Sequence, residues 1–174
     1  ERCKSRHSNY YAVLFLDFDR FKVINDSLGH AEGDELLKQI ARRLELSTRT
    51  GDLVARLGGD EFVILLSEML EVNDAIQVAE RIQDDLKKPF DLRGSEVFIS
   101  ASIGIALSTD RHKRAEDMLR DADIAMYRAK AKGKARYQVF NHAMRAQATM
   151  RLQLETEIRA ALERREFELH YQPI

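Results

Sequence analysis

The residues best suited to bind a ligand or a metal ion are four consecutive ones: Gly58, Gly59, Asp60 and Glu61. The two glycines let a backbone approach a ligand closely, and the two adjacent carboxylates repel each other unless a cation lies nearby. Asp17, at the end of an apolar run, adds a third carboxylate. Mg²⁺ prefers such oxygen ligands and commonly bridges to substrate phosphates. The pattern predicts a cation site if the fold brings these side chains together, although the tetrapeptide alone is equally compatible with a polar turn.

A second group of candidates carries positive charge. Asp123, Tyr127, Lys130 and Lys134 recur at intervals of three or four residues, so we expect them to share one face of a helix over 115–132. The two lysines could hold the phosphates of a nucleotide. Lysines near a helix end also complement the helix dipole and stay solvated, and on spacing alone this simpler interpretation is the more common one.

Apolar runs rich in aromatic and β-branched residues predict the strands that must position these groups. The first run ends at Asp17, and two further runs flank the glycines at 58–61, which predicts a β-hairpin with the glycines at its tip. The predicted strands span 10–16, 53–57, 62–66, 97–106 and 137–140, the last as an edge strand.

Helical periodicity fills much of the remaining chain. A short helix is predicted after the first strand, with breaks near Asn25 and Gly29. The next helix is expected to begin at Asp34, whose side chain would serve as the N-cap. A long charged helix is predicted over 142–165, and 166–174 alternates like a strand. With strands and helices mixed around a tight hairpin, we predict an α+β fold whose central, mostly antiparallel sheet is flanked by helices.

The composition indicates one globular domain plus a tail. The 174 residues are 44% hydrophobic, and 28 basic against 29 acidic residues leave a net charge of −1, so no basic field favours nucleic acid as a partner. The single cysteine, Cys3, forms no internal disulfide, and no apolar run approaches the ~20 residues of a membrane span. These two features favour a cytoplasmic location. Because the chain begins with Glu1 rather than Met and shows no signal-peptide pattern, we expect it to be a piece of a longer protein.

The pentapeptide Gly-Gly-Asp-Glu-Phe, which ends at Phe62, is the signature after which the GGDEF family of diguanylate cyclases is named. Segments 16–26, 29–34 and 102–106 resemble that family's metal and nucleotide segment, its guanine-side loop and the strand behind the site. The resemblance implies a nucleotidyl-cyclase, palm-like fold that uses Mg²⁺ (or Mn²⁺) to condense two GTP into cyclic di-GMP and pyrophosphate. It also implies a homodimer, because one domain holds one GTP.

The resemblance assigns the acidic residues to the metal. Asp17, Asp60 and the backbone carbonyl of Phe18 would bind Mg²⁺, and Glu61 would support the metal site. Asp60 and Glu61 would also serve catalysis, by helping to remove the proton of the attacking hydroxyl.

The same resemblance assigns the contacts to GTP. Asn25 and Asp34 would hydrogen-bond the guanine, since an amide and a carboxylate together discriminate guanine from adenine. One departure concerns 133–135, which is Gly-Lys-Ala where the family usually has Gly-Arg-Asn; lysine keeps the charge but loses the bidentate fork of arginine. The full set of implied GTP contacts is Lys22, Asn25, Asp34, Gly58, Gly59, Lys130 and Lys134.

An Arg-x-x-Asp motif, Arg49 to Asp52, lies five residues before the glycines and matches the family's inhibitory site for cyclic di-GMP. Arginine can pair with phosphate and a guanine edge, and aspartate can accept from guanine nitrogens. Arg81 on a following helix is a further possible contact. The alternative is a surface turn with an ordinary ion pair worth ~0–1 kcal/mol.

The end of the chain resembles the beginning of an EAL domain, the phosphodiesterase module that destroys cyclic di-GMP. We therefore predict a GGDEF domain at 1–140, a linker helix at 141–165 and the start of an EAL domain at 166–174. Two other functions stay open. The chain could be a GTP- or cyclic di-GMP-binding regulator of an adjoining phosphodiesterase, or a scaffold that presents its long helix to a partner.

Overall fold

The computed structural model describes residues 10–108, 112 and 114–172. These residues form seven strands and five helices, and the chain divides into two compact units between Phe140 and Asn141. In chain order the elements are β1 (Tyr10–Asp19), α1 (Phe21–Leu28), α2 (His30–Leu46), β2 (Leu53–Gly58), β3 (Glu61–Met69), α3 (Val72–Leu86), β4 (Phe90–Leu92), β5 (Ser95–Val97), β6 (Ser100–Leu107), α4 (Ala115–Ala131), β7 (Tyr137–Val139) and α5 (His142–Glu163).

Five strands form one sheet in the order β2-β3-β1-β6-β7, and β4 pairs with β5 in a separate two-stranded sheet. Every pair in the main sheet is antiparallel except β6 with β7, which is parallel. The predicted α+β class, the mostly antiparallel sheet and the hairpin around 58–61 are therefore confirmed.

The central strand β1 sends alternate side chains to opposite faces of the sheet. Leu14, Leu16 and Phe18 belong to the larger core cluster, which also contains buried residues of α1, α2 and α3. Val13 and Phe15 belong to a smaller cluster with buried residues of α4. Because side chains alternate with a period of two, the carboxylates that end β1 continue the row on the α4 side.

Helix α4 packs unusually close to β6. A Cβ atom added at Gly104 would lie 1.9 Å from the carbonyl oxygen of Ala122 and 2.2 Å from the backbone nitrogen of Met126. No side chain fits between the two backbones, so glycine is required at this crossing.

Three predicted boundaries are wrong. Helix α1 continues past Asn25 to Leu28, so only the predicted break at Gly29 is confirmed, and α2 begins at His30 with Gly29 as its N-cap. Asp34 therefore lies inside α2 and is not an N-cap: Gly29, with φ 95°, supplies the turn that separates the helices. The strand predicted over 97–106 is interrupted at 98–99, because β5 turns back to pair with β4 while β6 joins the main sheet.

The second unit is described by itself. Helix α5 is capped by the Asn141 side chain, which accepts a hydrogen bond from the backbone N–H of Met144 at 3.1 Å, and none of its residues is buried. Residues 166–172 have no regular secondary structure, so the strand predicted there is wrong in the described part; positions 173 and 174 lie outside it. A strand needs a neighbour to satisfy its backbone groups, and these residues pair with none of the described strands.

None of the helices at 10–108 and 114–172 combines the length and apolar character that a membrane crossing needs.

Candidate active site

The end of β1 and the tip of the β2–β3 hairpin meet at one edge of the sheet. Asp17 lies opposite Glu61 on β3 and opposite Ser102 on β6. Residues directly opposite each other in an antiparallel pair project to the same face, so the Asp17 and Glu61 carboxylates share the α4 face. Asp60 immediately precedes Glu61 in the turn.

Two buried phenylalanines hold these segments in place. Phe18 and Phe62 contact each other edge to face, with ring centroids 5.6 Å apart and planes at 90°. Each ring lies next in sequence to a candidate acidic residue, Asp17 or Glu61, and both rings are buried in the larger core. The packing of the core thereby fixes where the polar ends of both strands lie.

Asp17 forms an ion pair with Lys130, whose ammonium nitrogen lies 2.6 Å from the Asp17 Oδ2 atom. The Asp17 side chain is 14% exposed and that of Lys130 is 30% exposed. Burial raises the pKa of the Asp17 carboxyl above its ordinary value, and the charges of Asp60 and Asp19 act in the same direction. The Lys130 ammonium opposes this rise through its hydrogen bond and its charge.

The chemistry of the donor set fits Mg²⁺, although the carboxylates are not already gathered around one point. No cluster of three or more His, Cys, Asp and Glu side chains among the described residues is arranged to hold a metal. Asp17 and Glu61 nevertheless lie side by side on adjacent strands, and Asp60 is close enough to influence the Asp17 carboxyl. Mg²⁺ keeps several ligands from water and substrate phosphates, so two or three protein oxygens suffice.

The backbone carbonyl of Phe18, the implied metal ligand, lies at a position that is not paired with β3. Pairing of β1 with β3 ends at Asp17 and Glu61, whereas pairing with β6 continues to Asp19 and Ser100. Phe18 is therefore beyond the last paired residue on the β3 side.

Helices α1 and α2 form the candidate guanine site. The Asn25 Oδ1 atom is buried and accepts no hydrogen bond from residues 10–108, 112 or 114–172. A Cβ atom at Gly33 would lie 1.7 Å from that oxygen, so only glycine leaves room for the amide. Asp34 is exposed on the next position of α2, and Lys22 is exposed on α1.

The second predicted lysine lies off the helix. Helix α4 ends at Ala131, and Lys134 lies in the loop that follows, so the predicted shared helix face with Lys130 is wrong for this residue. Gly133, Lys134 and Ala135 all have left-handed backbone angles, with φ of 113°, 63° and 47°. The loop ends the helix early and places Lys134 on a cavity of about 560 Å³ that Arg20 also lines.

Asp19 is a further residue of the site, to which no sequence motif assigned a role. The residue is 7% exposed, and its side chain accepts hydrogen bonds from the hydroxyl groups of Ser100 and Ser102, at 2.7 and 2.9 Å, and from the backbone N–H of Ala135 at 3.1 Å. The alternation of Asp17 and Asp19, matched by Ser100 and Ser102 on another strand, was the available signal. It needed the strand register, which the sequence does not give.

The residues of the predicted inhibitory site do come together. Arg49, Asp52 and Arg81 line one cavity of about 240 Å³. The Asp52 side chain is 1% exposed and accepts from the backbone N–H groups of Arg49 and Ser67, both at 3.1 Å. Its first role is therefore to hold the turn against β3.

Both arginines around this cavity bind backbone carbonyls. Arg49 donates to the carbonyl oxygens of Ser67 and Glu68, and Arg81 donates to the carbonyl oxygen of Ser47 at 3.0 and 2.6 Å.

Residues 1–136 match the family model described as diguanylate cyclase, GGDEF domain. The chain therefore belongs to the GGDEF family. It is 45% identical over 168 residues to the bifunctional diguanylate cyclase/cyclic di-GMP phosphodiesterase MucR of Pseudomonas aeruginosa, an alignment that covers 97% of this chain and 24% of MucR. It is 40% identical over 174 residues to the cyclic di-GMP phosphodiesterase NbdA of the same organism, covering all of this chain and 22% of NbdA.

Among solved structures, the chain is similar to the GGDEF domain of TpbB (YfiN) from Pseudomonas aeruginosa. The TM-score is 0.75 with 45% identity, and the match covers 78% of this chain and 84% of that one. The chain spans a quarter or less of the length of MucR and NbdA.

Proposed function

We propose that this chain is a diguanylate cyclase domain that condenses two GTP molecules into cyclic di-GMP and pyrophosphate in the cytoplasm. The observation that carries the proposal is that Asp17 forms an ion pair with Lys130 and lies opposite Glu61 at one edge of the sheet, with Asp60 next to Glu61 in the turn. Acidic oxygens next to a lysine suit a divalent cation that is shared with a triphosphate.

In this reaction the 3′-hydroxyl oxygen of one GTP forms a bond to the α-phosphorus of another, and the bond from that phosphorus to the bridging oxygen breaks. Pyrophosphate leaves, the hydroxyl proton passes to Asp60, Glu61 or water, and a second such step closes the ring. Asp17, Asp60 and the Phe18 carbonyl, with support from Glu61, would hold Mg²⁺, which supplies positive charge to the phosphoryl oxygens when bound.

The remaining GTP contacts follow from position. The phosphates would be bound by Lys22, Lys130 and Lys134. The backbone of Gly58 and Gly59 would also lie against the phosphates, because the space beside these two glycines is open: added Cβ atoms there meet nothing within 4 Å. The orphaned Asn25 oxygen would accept from a guanine N–H, with Asp34 beside it.

Catalysis would require a homodimer with the two sites opposed, because each domain binds one GTP and the reaction joins two. We expect the isolated chain to be mostly monomeric and weakly active. Two copies brought together by a fused dimeric coiled coil should be active.

Product would inhibit at the cavity lined by Arg49, Asp52 and Arg81. A cyclic dinucleotide carries two phosphates and two guanines, which suit guanidinium groups. In this arrangement the arginines contact the ligand, and Asp52 keeps the turn that carries Arg49 in place.

The direct test is conversion of GTP by the coiled-coil dimer with Mg²⁺, followed by separation of cyclic di-GMP. Wild type should form product, and Asp60→Ala should lose at least about 100-fold in kcat because a charge next to the reacting phosphates is removed. Glu45→Ala, which removes an exposed carboxylate on α2, is the matched control and should remain active. Equal amounts of product from wild type and Asp60→Ala would contradict the assignment of Asp60 as a metal ligand.

A second candidate is a GTP- or cyclic di-GMP-binding module that regulates an adjoining EAL phosphodiesterase. Two observations favour it: NbdA, which is 40% identical to this chain, is named a phosphodiesterase, and the loop at 133–135 carries Lys-Ala in place of Arg-Asn. Calorimetric binding of GTP without product in the dimer assay would select this function over the cyclase.

A further inference from the structure

The two carboxylates that end β1 have different surroundings although they lie on the same face. Asp17 faces the Lys130 ammonium beside the hairpin tip, whereas Asp19 faces three hydrogen-bond donors and forms no ion pair with the described residues. The two groups are therefore not equivalent members of one acidic cluster.

Both oxygens of the Asp19 carboxylate accept hydrogen bonds. Its Oδ2 atom accepts from the Ser100 hydroxyl and the Ala135 N–H, and its Oδ1 atom accepts from the Ser102 hydroxyl. A metal ion would compete with these donors for a carboxylate of a residue that is only 7% exposed. Loss of those bonds would leave buried polar groups unpaired, which is unfavourable.

The loop that Asp19 holds has a conformation that needs support. Lys134 and Ala135 both have positive φ, which non-glycine residues adopt at a cost because the Cβ atom crowds the backbone. Such conformations persist where surrounding contacts enforce them. The N–H of Ala135 binds Asp19 directly, 116 residues away in the chain, so the carboxylate ties this loop to the end of β1.

We propose that Asp19 is a positioning residue that sets the location of Lys134 through the Ala135 N–H, while Asp17 alone of the two contacts the cation. The inference rests on the proposed function in that Lys134 is taken as a contact to the triphosphate. In this arrangement Asp17 of β1 contacts the metal, and Asp19 of β1 holds the loop at 133–135 that carries Lys134.

The test compares Asp19→Asn with Asp19→Ala in GTP binding by calorimetry with Mg²⁺ and in the steady-state kinetics of the coiled-coil dimer. Asparagine keeps one oxygen for Ser100 and Ala135, and its NH₂ group can donate to the Ser102 hydroxyl. A positioning role predicts that Asp19→Asn stays within about threefold of wild type in the dissociation constant for GTP. Asp19→Ala should weaken binding about tenfold, with KM rising more than kcat falls.

A double-mutant cycle with Lys134→Ala examines whether the effect passes through that lysine. If it does, Asp19→Ala should add little to the loss already caused by Lys134→Ala. Ser95→Ala, at an exposed serine of β5, is the control for serine removal and should change nothing, whereas Ser100→Ala should show a partial effect. Multiplicative losses in the Asp19/Lys134 cycle would overturn the proposal.

Two further readouts separate the possible failures. If Asp19→Asn lost binding as severely as Asp19→Ala and needed a higher Mg²⁺ concentration, Asp19 would be a metal ligand and the proposal would be wrong. Hydrogen exchange at the Ala135 amide needs no catalysis, and it should quicken in Asp19→Ala but not in Asp19→Asn. A wild-type dimer that binds GTP without forming product would contradict the proposed cyclase activity and leave these binding and exchange tests decisive for Asp19.

Discussion

At the scale of single residues, the amide of Asn25 is the clearest sign of an incomplete contact. Its oxygen is buried, and no described residue donates to it. A buried acceptor without a donor costs about 1–3 kcal/mol, so a ligand that supplies an N–H recovers that free energy on binding. Gly33 makes this arrangement possible, because any larger residue would occupy the position of the oxygen.

We predict that Gly33→Ala raises the KM for GTP by about tenfold or more, since the new methyl group must displace the Asn25 amide from its place. Steady-state kinetics of the dimer would measure it. Lys38→Ala changes an exposed residue on the same helix and should leave KM unaltered. An unchanged KM in Gly33→Ala would show that Asn25 does not contact the substrate.

At the scale of elements, the crossing of α4 over β6 determines where the basic residues lie. The helix carries Lys130 to Asp17, and its end leads into the loop with Lys134. The close approach depends on Gly104, whose added Cβ would meet backbone atoms of the helix. Backbone atoms cannot rotate away as a flexible side chain can, so the helix itself would have to move.

Gly104→Ala should therefore destabilise the fold by about 2–4 kcal/mol, in the range of severe overpacking. Urea unfolding followed by circular dichroism gives the free energy of unfolding. Gly58→Ala is the control for the same chemical change, because a Cβ there meets nothing within 4 Å, and its stability should be close to that of wild type. A stable Gly104→Ala protein would mean that α4 shifts at little cost.

Sequence patterns predicted the elements whose signals are local. The hairpin, β1 and α4 follow from apolar periodicity and from glycines at a turn, and the structure contains all three. The break at 98–99 and the start of α2 at His30 were missed, because they depend on which strand pairs with which and on the φ of Gly29.

Within the candidate site, residue identity alone predicted acidic and basic groups but not their partners. The pairing of Asp17 with Lys130 and of Asp19 with Ala135 joins positions more than 100 residues apart. Such contacts follow from strand register and from the path of α4, which no local pattern contains.

At the scale of the whole molecule, the two units differ in how they are stabilised. The first contains both core clusters, whereas α5 in the second has no buried residue. A helix without a buried face contributes little to the stability of a separate core.

We predict that a chain ending at Phe140 unfolds within about 2 °C of the 174-residue chain, because it keeps every residue of both cores. Differential scanning calorimetry would measure both midpoints. A chain ending at Arg136 is the matched comparison: it also loses β7, whose Tyr137 and Val139 pack against the larger core, and its midpoint should fall clearly. A large fall on removal of 141–174 alone would place the boundary elsewhere.

The three carboxylates of the site and two of its three lysines come from separate stretches of the chain. Asp17, Asp60 and Glu61 precede the end of β6 at Leu107, while Lys130 and Lys134 follow the start of α4 at Ala115. Lys22 is the one proposed phosphate contact with a positive side chain in the first stretch, and the tight helix-to-strand contact at Gly104 brings Lys130 and Lys134 to the carboxylates. The protein is thus suited to fragment complementation, in which two inactive pieces divided between Leu107 and Ala115 recover function only when they reassemble.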